Sequence, residues 1–282
     1  MKDYIKIGVE QGYISFDKEM SRITYTYQNK QRNYNNPEEK VQAETFLRLI
    51  LDYKYPVNRI KQFVPVTMGS EIKEADIVVY EDDMCMSPHI LVECKRQEVS
   101  EAEYQQAIEQ AYSYAFALPC EIKYVWVTSG IKSDYFEVDK NQNTRNQLPD
   151  IPQFGVKNVA SYKYVYEAQH LPEEAGKQRF FDLSVIDQSE LTRRFKQAHE
   201  ALWAGGQLNP SEAFDELDKL IFCKIWDERK PRRMGEPYDF QIITVPKEVE
   251  KSEPKRRHME NDNLYKRVMA LYEEGRKKDK EV

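Results

Sequence analysis

Cysteine, glycine and long apolar runs are all scarce in this chain of 282 residues, and each shortage removes a class of function. The four cysteines, Cys85, Cys94, Cys120 and Cys223, show no C-x-x-C spacing and no accompanying histidine pattern. That argues against a zinc site or a disulfide framework and for reduced structural thiols. No apolar run approaches the length of a membrane span, and MKDYIKIGVEQ at the start lacks the apolar core of a signal peptide, so a cytoplasmic protein without a membrane partner is expected. None of the ten glycines falls in a G-x-x-x-x-G-K-[ST] pattern, which leaves no ATP-driven motor in this chain. A surplus of positive charge is also missing. The net charge of -6 is unhelpful for contacting phosphates, so much of any affinity for nucleic acid is expected to come from a partner or from sequence outside this chain. An acidic total still leaves room for a local basic groove.

What is present reads as soluble and globular. Charged residues make up 32% and hydrophobic ones 40%, with a mean hydropathy of -0.78, and the length suits two domains. Two β-branched runs, ADIVVY from Ala75 and HILVECK from His89, flank a polar turn. Strand alternation puts His89, Leu91, Glu93 and Lys95 on one face and Ile90, Val92 and Cys94 on the other. With Glu81 to Pro88 as the hairpin turn, Asp76 lies beside the end of the returning strand. Two carboxylates and an ammonium then meet at one point. Alone, D-x16-E-x-K is a loose pattern, because strand ends often carry solvated charges.

The flanking segments supply context. Asn36, Pro37 and Glu39 form a helix start, with an N-cap acceptor, proline at the first helical position and an acid to close a capping box. That helix should run to about Lys54 with Ala43, Phe46, Leu47, Ile50 and Leu51 as its buried stripe, and periodicity alone makes Glu44 a solvated flank charge. Arg59 to Val66 is a strand. Ser100 to Leu118 is a second helix with a close-packing ridge of Ala107, Ala111, Ala115 and Leu118. Gln106, Gln110 and Tyr114 repeat along the adjoining ridge, which on periodicity alone is a polar flank. The run from Ile122 to Thr128 suits a buried central strand. Together these give an α/β (α+β) fold with an αβββαβ core on a mixed sheet. Residues 4 to 27 read as a small antiparallel entry to that sheet, Asp139 to Gly155 as a loop, and Val159 to Glu167 as an edge strand. Most of the nineteen tyrosines are expected to pack on half-buried strand surfaces.

After a linker at 168–187 the grammar changes to a helical module over 188–282. Leu191, Phe195, Ala198 and Leu202 mark a helix that stops at Gly205-Gly206. Asn209-Pro210 starts another with Phe214, Leu217, Ile221 and Ile225, and Asn263 to Lys278 a third. The basic runs Arg229 to Arg233 and Lys255 to Arg257 could touch phosphates, but most such runs are solvated loops.

Asp76, Glu93 and Lys95 resemble the D…(E)xK core of the PD-(D/E)XK nuclease superfamily. With NPEEKVQAETFLRLI, Tyr55-Pro56, ADIVVY, LVECK and Gln110-x-x-x-Tyr114 in order, residues 1–167 resemble the N-terminal nuclease domain of type I restriction enzyme R subunits. Ala75 replaces the proline of the family's first motif, a position that touches no metal. The resemblance implies a restriction-endonuclease-like fold and a magnesium- or manganese-dependent deoxyribonuclease. Asp76, Glu93, Lys95 and Gln110 would be catalytic, and Glu44, Asp76 and Glu93 would hold the metal with the Cys94 carbonyl. Gln106 and Tyr114 would support the site or the DNA backbone. Gly205 to Glu228 resembles the N-terminal helical segment of N6-adenine DNA methyltransferases, but no Gly-rich cofactor loop or Asn-Pro-Pro-Tyr follows, so no S-adenosylmethionine site is expected. The implied partners are DNA, modification and specificity subunits or domains, and a motor domain outside this chain, which would then be the front part of a larger polypeptide. Two other readings stand beside this one: a catalytically silent DNA-binding or docking module, and a repair nuclease of the same superfamily.

Overall fold

The computed structural model describes residues 3–118, 121–204 and 208–279. The chain divides into two compact units, one of Lys2–Ala160 with Ala175–Gln178 and the other of Ser161–Glu174 with Arg179–Val282.

The first unit is built on a six-stranded sheet in sequence order: β4 (Ile60–Met68), β5 (Glu71–Tyr80), β6 (Pro88–Cys94), β7 (Tyr124–Thr128), β8 (Ser133–Asp139) and β9 (Thr144–Leu148). Only β6 and β7 run parallel; the other neighbours are antiparallel. The parallel step needs a crossover, which α3 (Glu101–Ala117) provides. Ser100 caps α3 with a complete capping box through Glu103. Its alanine ridge, Ala107, Ala111 and Ala115, is buried against Val78, Leu91, Val125 and Val127, and small side chains are what let a helix lie this close to a sheet. Strand alternation turns Trp126 to the opposite face. There Arg48 of α2 (Pro37–Leu51) lies 5.3 Å from the Trp126 ring and Tyr53 5.6 Å from it. The sheet is therefore covered on both faces, and the order α2-β4-β5-β6-α3-β7 is the αβββαβ core.

The structure corrects several sequence expectations. Residues 4–27 do not enter the main sheet. Tyr4–Glu10 is a helix, α1, and β1 (Ile14–Phe16), β2 (Arg22–Tyr25) and β3 (Lys30–Asn33) form a separate antiparallel sheet. Ile5, Ile7 and Val9 alternate like a strand, but the Asp3 carboxylate caps the Lys6 N–H at 2.9 Å. Gly8 is buried so close to Leu47 that tertiary packing overrides the pattern. Asn36 caps α2 as expected, yet Glu39 does not close the box: it is buried and accepts a hydrogen bond from the Tyr25 hydroxyl. Part of the expected loop after Asp139 is a hairpin. Asp139 accepts the N–H groups of Asn141 and Gln142 at 3.0 Å each, and Asn143 takes a φ of 52°. TRNQL in β9 is half-buried throughout, so no apolar alternation marks it. Val159 to Glu167 forms no strand; Tyr164 and Val165 make single bridges to Phe181 and Pro237.

The second unit contains α4 (Gln188–Ala204), α5 (Pro210–Arg229) and α6 (Glu253–Asp279), the last longer than expected. The Gly205-Gly206 stop lies outside the described residues. Asn209 caps α5 with a capping box through Glu212. Much of the two basic runs is structural: the side chains of Arg232 and Asp227 form an ion pair 1% and 0% exposed, and Arg256 donates to the carbonyls of Glu250 and Lys251. Asp227 also accepts the N–H groups of Asp239 at 3.1 Å and Phe240 at 2.9 Å. Asp227→Ala would leave the buried Arg232 charge with only the longer contact to Asp239 Oδ2 at 3.3 Å, a loss of about 3 kcal/mol, the low end for a broken buried pair. Hydrogen exchange should show the α5 amides losing protection by that amount.

Candidate active site

The site forms where the ladder between β4 and β5 is interrupted. Rungs run regularly from Ile60↔Val79 to Met68↔Glu71, except at the step where Phe63 faces Asp76. Phe63 has a φ of 54°, a region that costs an aromatic residue about 1–3 kcal/mol and that persists only under external constraint. The constraint is visible: the Tyr25 ring lies 6.0 Å from the Phe63 ring and the Arg32 guanidinium 3.7 Å from it. At Asp76 the backbone carbonyl accepts from Gln42 Nε2 on α2 at 3.1 Å. The Asp76 carboxylate accepts the Cys94 N–H at 2.7 Å, which ties β5 to the end of β6.

Continuing the register Val78↔Leu91, Ile77↔Val92 by one step puts Asp76 opposite Glu93 on the face shared with Leu91. Glu93 is buried, and Lys95 Nζ donates to its Oε1 at 2.9 Å. Lys95 follows β6 and is held there by its own N–H, which donates to the Thr128 carbonyl at 2.8 Å. The lysine ammonium also lies 3.7 Å from Glu38 Oε1, at the start of α2. Asp76, Glu93, Lys95 and Glu38 thus converge at the carboxyl end of β6, beside the parallel β6–β7 step, where open α/β sheets characteristically bind ligands.

Electrostatics leave this group short of positive charge. Burial pushes the Asp76 carboxyl well above its ordinary value, and the neighbouring Glu93 charge adds to that, against the Cys94 N–H and Lys95. Burial likewise raises Glu93, which Lys95 only partly offsets. For Lys95, burial lowers the value, but the charges of Glu93, Glu38 and Asp76 and the Glu93 hydrogen bond outweigh it, so the amine is held protonated. Glu93 Oε2 is buried with no hydrogen-bond partner among the described residues.

The other expected residues divide. Gln110 Nε2 donates to the Tyr114 hydroxyl at 2.6 Å, and Tyr114 is close enough to feel the charges of Glu93, Lys73 and Lys95. Gln106 is exposed on α3. Glu44 faces elsewhere, since its charge acts on Tyr4, Tyr34 and Arg48. The α2 acid at Lys95 is Glu38, which sequence reasoning missed. Glu38 and Gln42 are one helical turn apart and present a single face to the site, whereas Glu44 is turned about 120° away at 100° per residue.

Asp76 and Glu93 fit a hard divalent cation: their oxygen donors, the buried Glu93 Oε2 and a repulsion between carboxylates that Lys95 only partly relieves are suited to one. Among the described residues no group of three or more His, Cys, Asp or Glu is close enough to hold a metal ion, so protein carboxylates alone would leave the coordination shell open. No helix among the described residues is long and apolar enough to cross a membrane.

No curated protein matches the chain. A family match exists for the segment that carries this geometry, from the Pro37 helix start through β9; it spans less than half of the chain and none of the C-terminal helices, so the methyltransferase resemblance gains no support from it. Residues 37–152, which hold Glu38, Asp76, Glu93, Lys95 and Gln110, match the family described as the type I restriction enzyme R protein N terminus.

Proposed function

We propose that this chain supplies a metal-dependent DNA endonuclease activity to a type I-like restriction-modification system, hydrolysing phosphodiester bonds at the end of β6. The observation that carries the reading is the convergence of Asp76, Glu93 and Lys95 with an unpartnered carboxylate oxygen, an arrangement that costs folding energy and that a docking surface has no physical need for. Asp76 and Glu93 would hold magnesium or manganese, which when bound polarises the scissile phosphate and lowers the pKa of a coordinated water. The chain's own groups do the rest. Lys95, kept protonated, donates to a phosphate oxygen or orients the attacking water and stabilises negative charge that builds on the phosphate. Glu93 fixes the Lys95 ammonium, and the Cys94 N–H fixes the Asp76 carboxylate. Gln110 and Tyr114 brace one another beside Lys95, with Gln106 further along the exposed helix face as a backbone contact. DNA sequence selection, modification and translocation then belong to other subunits or domains, and the chain binds neither ATP nor S-adenosylmethionine.

In this proposal the α2 acid that supports the metal site is Glu38 rather than Glu44, acting through the Lys95 ammonium. Glu38→Gln should weaken manganese binding in calorimetry and lower DNA cleavage by about tenfold or more, while Glu44→Gln leaves both near wild type. Equal effects from the two variants would contradict the assignment. A catalytically silent DNA-binding module is the second reading, favoured by the lack of a three-ligand group among the described residues; DNA binding with neither manganese binding nor cleavage would support it.

A further inference from the structure

In the basic runs of the C-terminal unit, Lys230 and Arg232 are held in ion pairs and Arg256 by backbone carbonyls, which leaves fewer cations there for phosphate contacts. The small β1–β2–β3 sheet offers them. A groove of about 450 Å³ is lined there by Ser21, Arg22, Gln31, Arg32, Asn33 and Asn35, a set with two guanidinium groups, three amides and no carboxylate. Arg22 stands directly across from Asn33 in the β2–β3 ladder, so both belong to the exposed face. Asn33 Oδ1 accepts the Asn35 N–H at 3.0 Å, which turns its amide donors outward. Arg32 comes from the other face, stacked on Phe63, with Nη1 donating to the Gln31 carbonyl at 3.3 Å. Of the nearby acids, Asp17 accepts the backbone N–H groups of Ser21 and Arg22 and the Ser21 hydroxyl, and Glu74 lies 3.8 Å from Arg32 Nη2 in an exposed ion pair that a phosphate would displace.

The groove also has a fixed relation to the candidate active site. Asn35 precedes the α2 cap, and three residues later Glu38 stands beside Lys95. Three Cα steps span at most about 11 Å. At a rise of roughly 3.4 Å per nucleotide along one strand, that is about three nucleotides.

We propose that this groove anchors the phosphodiester backbone of DNA a few nucleotides from the bond that is cut. Guanidinium forks and outward amide donors match phosphate oxygens geometrically. The anchoring rests on the nuclease reading for its purpose, but it is tested apart from cleavage. Anisotropy of a labelled short duplex, titrated with NaCl in EDTA so that nothing is cut, gives the salt slope of binding. Arg22→Gln should weaken binding about tenfold at low salt and reduce the slope by about one, at an unchanged melting temperature. Arg32→Gln should do the same, and Arg22→Gln remains decisive if loss of the Phe63 contact unfolds the other variant. Slopes equal to wild type in a folded Arg22→Gln protein would overturn the proposal even if the chain cleaves DNA. A reduced slope would sustain it even if the chain does not. Inorganic phosphate against chloride at matched ionic strength separates the two sources of the anion: a phosphate-induced rise in melting temperature that Arg22→Gln abolishes, with an unchanged DNA slope, would assign the groove to free phosphate and overturn the DNA anchor.

Discussion

Asp76→Asn is expected to make the metal-free protein more stable while abolishing its metal binding and any cleavage. The carboxyl of Asp76 is raised well above its ordinary value by burial and then by Glu93. A carboxylate whose folded-state pKa exceeds its unfolded one favours folding below the unfolded value, and that contribution is lost as pH rises through the folded value. At neutral pH, above the ordinary aspartate range, the wild type has therefore lost part of it. Asparagine removes the charge yet keeps an oxygen that can accept the Cys94 N–H, and it leaves Lys95 to Glu93 and Glu38 alone. A gain of about 1–2 kcal/mol, or roughly 2–8 °C in melting temperature, is the expected scale. The stability difference between variant and wild type should grow as pH rises from the ordinary aspartate range. Denaturation followed across pH in EDTA checks both statements; a variant less stable than wild type at every pH would show that Asp76 is not held in a strained ionic environment.

Lys95→Ala should act in the opposite direction on stability and in the same direction on chemistry. Its ammonium is the only cation bonded to the buried Glu93 carboxylate among the described residues, and the Glu93 side chain is 3% exposed. Removing it strands that charge, a loss of about 2–4 kcal/mol discounted from a fully buried pair because the Lys95 side chain is 22% exposed. Cleavage should fall by about a hundredfold or more, as expected for a donor aimed at developing charge, whereas manganese binding should persist because Asp76 and Glu93 remain. Pairing Lys95→Ala with Glu93→Gln should recover most of the lost stability without recovering cleavage. If the double variant is no more stable than Lys95→Ala, the two side chains are not coupled as the structure has them.

Much of this was legible in the residues, and the failures have identifiable causes. The succession of elements from α2 to β7, the two helices in it and the meeting of Asp76 with Glu93 and Lys95 follow from alternation, capping and a polar turn, all of which are local signals. α1 was hidden because Ile5, Ile7 and Val9 mimic a strand, and the packing of Gly8 against Leu47 behind the Asp3 cap explains the helix. β9 was hidden because TRNQL faces solvent and core equally. Glu38 went unnoticed because the choice between it and Glu44 depends on how α2 is rotated against β5, which the Gln42 contact to the Asp76 carbonyl sets. The left-handed Phe63 opposite Asp76 has no local sequence signal at all; it is imposed by Tyr25 and Arg32 from a separate sheet.

The central claim is that Asp76, Glu93 and Lys95 form a metal-dependent nuclease site. Incubating the chain with supercoiled plasmid DNA in magnesium, manganese or EDTA, with folded Asp76→Asn beside it, tests this most directly. The account predicts nicking or linearisation with either metal, none in EDTA and none from the variant. Cutting that survives EDTA or Asp76→Asn, or an inert wild type that also binds no manganese, would contradict it.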